Sequence, residues 1–209
     1  MFIKICGVKS IEELKLVEKY AGATGIIVKS NSKREISLKK GKEIVISSNI
    51  PVYAVSTTTD FNDWCNIIKE TTTKYIQIHN NMDIEKIKLL KKKYNNLNII
   101  KSFKVPINSE NYIKDGENLL NKINQYKPIV DYILLDSGAG SGKTHNLQIS
   151  KYVSEKIPVI LAGGLNPNNI NEIYNFVKPI GVDLSSGVEK DNFKNEKLIK
   201  LFIKNLYGL

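Results

Sequence analysis

Apolar residues fall along this chain in short runs separated by longer amphipathic stretches. The runs are FIKIC (2–6), GIIV (25–28), PVYAV (51–55), YIQIH (75–79), NIIKSF (98–103), YILLD (132–136), PVILAG (158–163) and GVDLSS (181–186). They recur roughly every 20 to 30 residues and are rich in β-branched residues, as buried parallel strands are. Between them, apolar positions step by three and four, which places them on one face of a helix. SIEELKLVEKY opens with Ser10 as an N-cap, and Glu13 completes a capping box. DFNDWCNIIKE and DIEKIKLLKKKY begin at Asp60 and Asp83, and NPNNINEIYNF carries Pro167 near its start. DNFKNEKLIKLFIKNL closes the chain, and the stretch from Ser37 to Ser48 is the least regular helix.

Eight strands alternating with about eight helices predict an α/β fold, a parallel (β/α)8 TIM barrel. A doubly wound open sheet is the alternative, because alternation alone does not show closure. FKVPINSEN (103–111) reads as a longer loop, and no Pro/Gly/Ser-rich linker divides the chain, so residues 1–209 are expected to form a single domain. Barrel enzymes work at the C-terminal ends of their strands. Those ends carry Cys6, the loop from Lys29 to Arg34, His79, Asp136, Gly163, Gly164 and the segment from Ser185 to Gly187. Residues i and i+2 of a strand share a face, so Lys4 accompanies Cys6, and Asp183 accompanies Ser185. Ionisable groups turned into a barrel are costly unless paired or used.

Composition narrows the classes. The chain has 209 residues, 42% hydrophobic and 25% charged, enough for one good core. It has no run of 18 apolar residues to span a membrane. The opening MFIKICGV enters a strand without a basic-then-apolar leader. Cys6 and Cys65 lie far apart, with no CxxC and no histidine at metal-ligand spacing, so no metal is expected and a reducing cytoplasm fits. Cys65 falls mid-helix and reads as structural. The net charge of +10 comes from lysines opposite apolar helix positions, without an aromatic-rich basic stripe. These are solvated faces rather than a nucleic-acid surface, though their field would attract an anionic substrate.

The segment LLDSGAGSGKTHN, Leu134 to Asn146, imitates a nucleotide loop. A P-loop needs Gly, four residues, then Gly-Lys-Ser/Thr. Counting back from Gly142-Lys143-Thr144, that first position is Ser137, and Gly138 comes one residue late. ATP binding is therefore not expected.

KICGVKS, GATGIIVKSNSKREI, IQIH, YILLDSGAGSGKTHN, LAGGLNPNNI and GVDLSSGVEKDNFKNEKLIKLF follow one another at barrel spacing. Together they resemble the phosphoribosylanthranilate isomerases of tryptophan biosynthesis, from end to end. The resemblance implies an Amadori rearrangement of N-(5-phosphoribosyl)anthranilate, with no metal and no cofactor. It implies Cys6 as general base, Asp136 as general acid, and Arg34 on the anthranilate. A cationic neighbour such as Lys4 is expected to lower the thiol's pKa, and burial to raise the carboxyl's. The phosphate is expected on Gly163, Gly164, Ser185, Ser186 and Gly187, where glycine lets backbone N–H groups approach an anion. His79 is expected to line the site, Asp183 to support it, and Gly140 and Gly142 to cover the sugar phosphate. The implied partner is a small anionic sugar phosphate, with no nucleic acid or membrane, and a monomer or homodimer is expected.

The sequence departs from the family pattern at His145-Asn146, where an aromatic residue and Asp are usual, and at Asn80, where glycine is common. Other phosphate-binding barrels compete, among them the α subunit of tryptophan synthase and the histidine-pathway isomerase. The latter uses aspartates on strands one and five, where this chain has Cys6 and then Lys101-Ser102. A nucleic-acid binder would leave Cys6 and Asp136 at strand ends without a purpose.

Overall fold

A computed structural model of the protein describes residues 1–137 and 144–208. The strands are β1 Phe2–Cys6, β2 Ala23–Ile27, β3 Val52–Ser56, β4 Tyr75–Ile78, β5 Asn98–Lys104, β6 Tyr132–Asp136, β7 Ile160–Ala162 and β8 Gly181–Leu184. The helices are α1 Ile11–Val17, α2 Leu38–Ser47, α3 Phe61–Thr71, α4 Ile84–Lys93, α5 Tyr112–Tyr126, α6 Leu147–Ser154, α7 Ile170–Val177 and α8 Glu196–Tyr207. Neighbouring strands pair in parallel, and β8 returns to β1 with Lys4 opposite Asp183. That pairing closes the barrel and excludes the open sheet.

Strand alternation builds two apolar layers. Ile3 and Ile5 of β1 turn outward to the helices, while Cys6 joins Ala23, Tyr53, Val55, Ile100, Leu134 and Ile160 inside. Phe2 stacks on Tyr132 and Tyr53 tilts against Tyr75, filling the N-terminal end of the barrel. The opposite end is left for polar groups.

The helix starts follow local chemistry. Asp60 and Asp83 cap α3 and α4 by accepting from Asp63 N and Glu85 N. Helix α2 is real despite its weak pattern: Ser37 caps it, and it approaches the barrel through Gly41. A Cβ there would stand 2.8 Å from Ile26 Cδ1.

Two details of the structure differ from the sequence pattern. The capping box of α1 is half formed. Ser10 Oγ accepts from Glu13 N, but the Glu13 carboxylate accepts from Lys9 N and Lys194 N instead. The segment from Asp191 also does not begin as helix. After a 3-10 turn, Ser186–Val188, the strands β9 Glu189–Lys190 and β10 Phe193–Lys194 form a hairpin. Its turn residues Asp191 and Asn192 have φ of +54° and +64°, a left-handed conformation that Asp and Asn tolerate. Helix α8 starts only at Glu196, capped by Asn195.

Candidate active site

A cavity of about 780 Å³ opens at the C-terminal ends of the strands. Cys6, Arg34, His79, Asp136, Gly163, Gly164, Asp183, Ser185 and Ser186 all line it. Gly187 is not among the lining residues; a Cβ there would stand 1.9 Å from the Leu165 carbonyl oxygen, so its glycine serves packing between two loops. Gly140 and Gly142 lie outside the described residues.

The floor of the cavity is charged. Lys4, with no exposed surface, donates to Asp183 Oδ2 at 2.8 Å across the β1–β8 seam. Burial opposes the ammonium's charge, but Asp183 and Cys6 outweigh it and hold its pKa above the ordinary value. Asp183 Oδ1 is buried and accepts from no group among the described residues.

Cys6 ends β1 and is 7% exposed. Burial pushes its thiol above the ordinary pKa, and Lys4 and Lys194 pull it back only in part. The expected lowering by Lys4 is thus a real contribution that burial overrides. The thiol has room because its β2 neighbour is Gly25. A Cβ at that position would stand 2.8 Å from Cys6 Sγ and 3.3 Å from Lys4 Nζ. Gly25 was not singled out from the sequence, although a glycine within a strand signals close approach.

Asp136 ends β6 and is 7% exposed. Its Oδ2 lies 3.1 Å from His79 Nε2, and His79 Nδ1 lies 3.4 Å from Gln77 Nε2. Gln77 is buried, lines the cavity, and its Oε1 has no partner among the described residues. Gly163 serves the site twice. Its φ of +91° makes the turn after β7, and a Cβ would stand 2.9 Å from Asp136 Oδ1. His145 is not a lining residue. It is buried against Ser150 Oγ at 2.6 Å, and burial pushes its pKa down to about 4, so the ring is neutral at neutral pH. Its neighbour Asn146 is the N-cap of α6, which gives this departure from the family pattern a structural use.

Arg34 reaches the rim from the loop after β2. Its Nε and one terminal nitrogen donate to the two carboxylate oxygens of Glu189, both at 2.7 Å. Lys194 Nζ donates to the same carboxylate at 2.7 Å and to Ser185 O at 3.3 Å. Burial works to raise the Glu189 pKa, yet Arg34 and Lys194 bring it down to about 2. Both Glu189 and Lys194 sit on the hairpin that the sequence pattern concealed.

Fold and cavity place the chain among the (β/α)8-barrel enzymes. A family model described as N-(5'-phosphoribosyl)anthranilate (PRA) isomerase matches residues 3–205, and the chain belongs to that family. It is 65% identical over 206 residues to the N-(5'-phosphoribosyl)anthranilate isomerase of Methanococcus aeolicus, covering 99% of this chain and 98% of the relative. The solved structure of the Pyrococcus furiosus isomerase superposes with a TM-score of 0.92 at 46% identity, covering 100% of both chains. A third structure is of a phosphoribosyl anthranilate isomerase in complex with reduced 1-(o-carboxyphenylamino)-1-deoxyribulose 5-phosphate. It matches with a TM-score of 0.80 at 28% identity, again over 100% of both chains.

Proposed function

We propose that this chain converts N-(5-phosphoribosyl)anthranilate into 1-(2-carboxyphenylamino)-1-deoxyribulose 5-phosphate, with Cys6 as general base and Asp136 as general acid. The observation that carries the assignment of roles is that the two side chains, from β1 and β6, line one cavity with Arg34 at its rim. Asp136 gives its proton to the ribose ring oxygen, the C1–O bond breaks, and the nitrogen's electrons form an iminium. The Cys6 thiolate then takes the proton from C2, and that electron pair neutralises the iminium to give an enolamine. Loss of the enol proton and protonation at C1 complete the ketone. Proton exchange with water returns Asp136 to its acid form and Cys6 to its base form. General acid–base steps of this kind contribute about 10² to 10⁴-fold each.

The other lining groups take supporting roles. His79 holds Asp136 through its 3.1 Å contact. Arg34 faces the anthranilate carboxylate, where a planar guanidinium pairs and stacks well. Backbone N–H groups at Gly163, Gly164, Ser185 and Ser186 receive the phosphate, as in other barrels of this architecture. The Lys4–Asp183 pair supports the site from the cavity floor. This reading needs no metal and no cofactor. It fits a monomer or homodimer in the cytoplasm acting on a small anionic sugar phosphate. The relative bound to a phosphorylated product analogue supports the ligand class. No helix among the described residues is long and apolar enough to cross a membrane.

The test is to generate phosphoribosylanthranilate in situ and follow the loss of its fluorescence. The protein should consume it and release the ketose product. If the signal stays at the uncatalysed rate while the protein binds another sugar phosphate, the substrate assignment fails. Filter binding at two salt concentrations checks whether the basic surface takes up nucleic acid instead.

A further inference from the structure

We propose that Glu189 is a positioning residue that gives this site its preference for an aromatic amine carrying a carboxylate; the proposal rests on the reading of Arg34 given above. A guanidinium has five N–H donors in a fixed plane, offering two edges to carboxylates. Glu189 occupies the edge formed by Nε and one terminal nitrogen, with two 2.7 Å contacts. No group among the described residues hydrogen-bonds the other terminal nitrogen, and Arg34 lines the cavity. The remaining edge is therefore the one presented to a ligand.

Three further contacts make this orientation rigid. Arg34 Cδ lies where a side chain on Gly7 would stand, 2.7 Å from that Cβ, so the arginine is laid flat on the β1 turn. Lys194 Nζ donates at 2.7 Å to Glu189 Oε1, the oxygen that also accepts from Arg34 Nε, and its side chain has no exposed surface. Lys194 N in turn donates to Glu13 at 2.8 Å, which anchors the hairpin to α1. An arginine rotamer held by a bidentate partner needs little further ordering when a second carboxylate arrives. With Glu189 gone, Arg34 would have many orientations, and the carboxylate-bearing substrate alone would feel the loss.

The experiment compares two substrates, made from ribose 5-phosphate with anthranilate or with aniline, which lacks the carboxylate. Both are assayed with wild type, Glu189→Gln, Arg34→Ala and the double variant, and thermal melting confirms that each is folded. Glu189→Gln should raise KM for the anthranilate compound by about tenfold or more with a much smaller change in kcat. The aniline compound should change far less, and Glu189→Gln should add nothing in the Arg34→Ala background. If Arg34→Ala leaves the preference between the two compounds intact, the reading of Arg34 falls and this proposal with it. If Arg34→Ala abolishes the preference but Glu189→Gln preserves it, only the role of Glu189 is overturned. Equal losses on both compounds, or a loss in kcat alone, would mark Glu189 as structural and also overturn the proposal. Should Glu189→Gln not fold, Glu189→Asp, which keeps the charge but draws the carboxylate back from Arg34, must show the same KM-selective loss.

Discussion

The sulfur of Cys6 occupies the space that a side chain on Gly25 would fill, 2.8 Å from the position of its Cβ. Backbone heavy atoms of paired strands cannot give way, so Gly25→Ala must displace the thiol, with Val55 Cγ2 at 3.2 Å and Lys4 Nζ at 3.3 Å also crowded. Overpacking of this kind costs about 1–3 kcal/mol of stability. A misplacement of about 1 Å in a reacting group can cost about 10²-fold. We expect Gly25→Ala to remain folded and to lose roughly that factor in kcat. A folded variant with wild-type kcat would show that the sulfur's position is not critical.

The raised thiol sets a pH profile. In the proposed mechanism Cys6 acts as a thiolate while Asp136 keeps its proton, so the alkaline break in activity marks the thiol's pKa. Burial places that pKa above the ordinary value, which is about 8.5. The alkaline break in kcat/KM should therefore fall only above about 8.5. Thiolate absorbance of a Cys65→Ser variant should report the same midpoint. An alkaline break below neutrality would mean that Lys4 and Lys194 outweigh burial after all.

Much of this was legible in the sequence, and the failures share one cause. The eight strands were visible because parallel strands buried on both faces must be short continuous apolar runs. That Cys6, His79 and Asp136 would line one cavity was legible because strand ends in a barrel converge. Gly25 was missed because its importance arises from the β1–β2 register, which the linear sequence does not display. Lys194 looked like one more solvated lysine, yet its side chain is fully buried beneath Glu189. The direction of the Cys6 shift was misjudged because charge neighbours can be read from spacing, whereas depth of burial cannot.

The Lys4–Asp183 pair predicts an asymmetry in stability. Lys4→Met leaves an uncompensated carboxylate in the barrel and should cost about 3–5 kcal/mol in urea unfolding. Adding Asp183→Leu should recover most of that loss, because two apolar groups replace a buried ion pair at little net cost. If the double variant is no more stable than Lys4→Met, the pair is not the source of the penalty.

Lys101 is a buried cation that the proposed reaction does not use. It faces the helix layer, 1% exposed, donating to Ser102 O at 2.6 Å and lying over the rings of Phe103 and Tyr126. Burial, helped by Lys122, lowers its pKa to about 8. The unfolded chain keeps that proton up to about 10.4, so this group's contribution to stability rises with pH between those values and is lost below them. Lys101→Met should stabilise the protein by about 1–2 kcal/mol at neutral pH. The gap should shrink as pH rises from about 8 towards 10. Urea midpoints at neutral and alkaline pH test this, and a gap that is constant or widens would contradict it.

The central claim is that Cys6 and Asp136 divide the chemistry between them, and one assay addresses it directly. Loss of phosphoribosylanthranilate fluorescence is followed with wild type, Cys6→Ala and Asp136→Ala at equal folded concentration. The account predicts a fall in kcat of at least about 10²-fold for each variant, the scale of a single general acid or base. Near-wild-type turnover by either folded variant would contradict the mechanism.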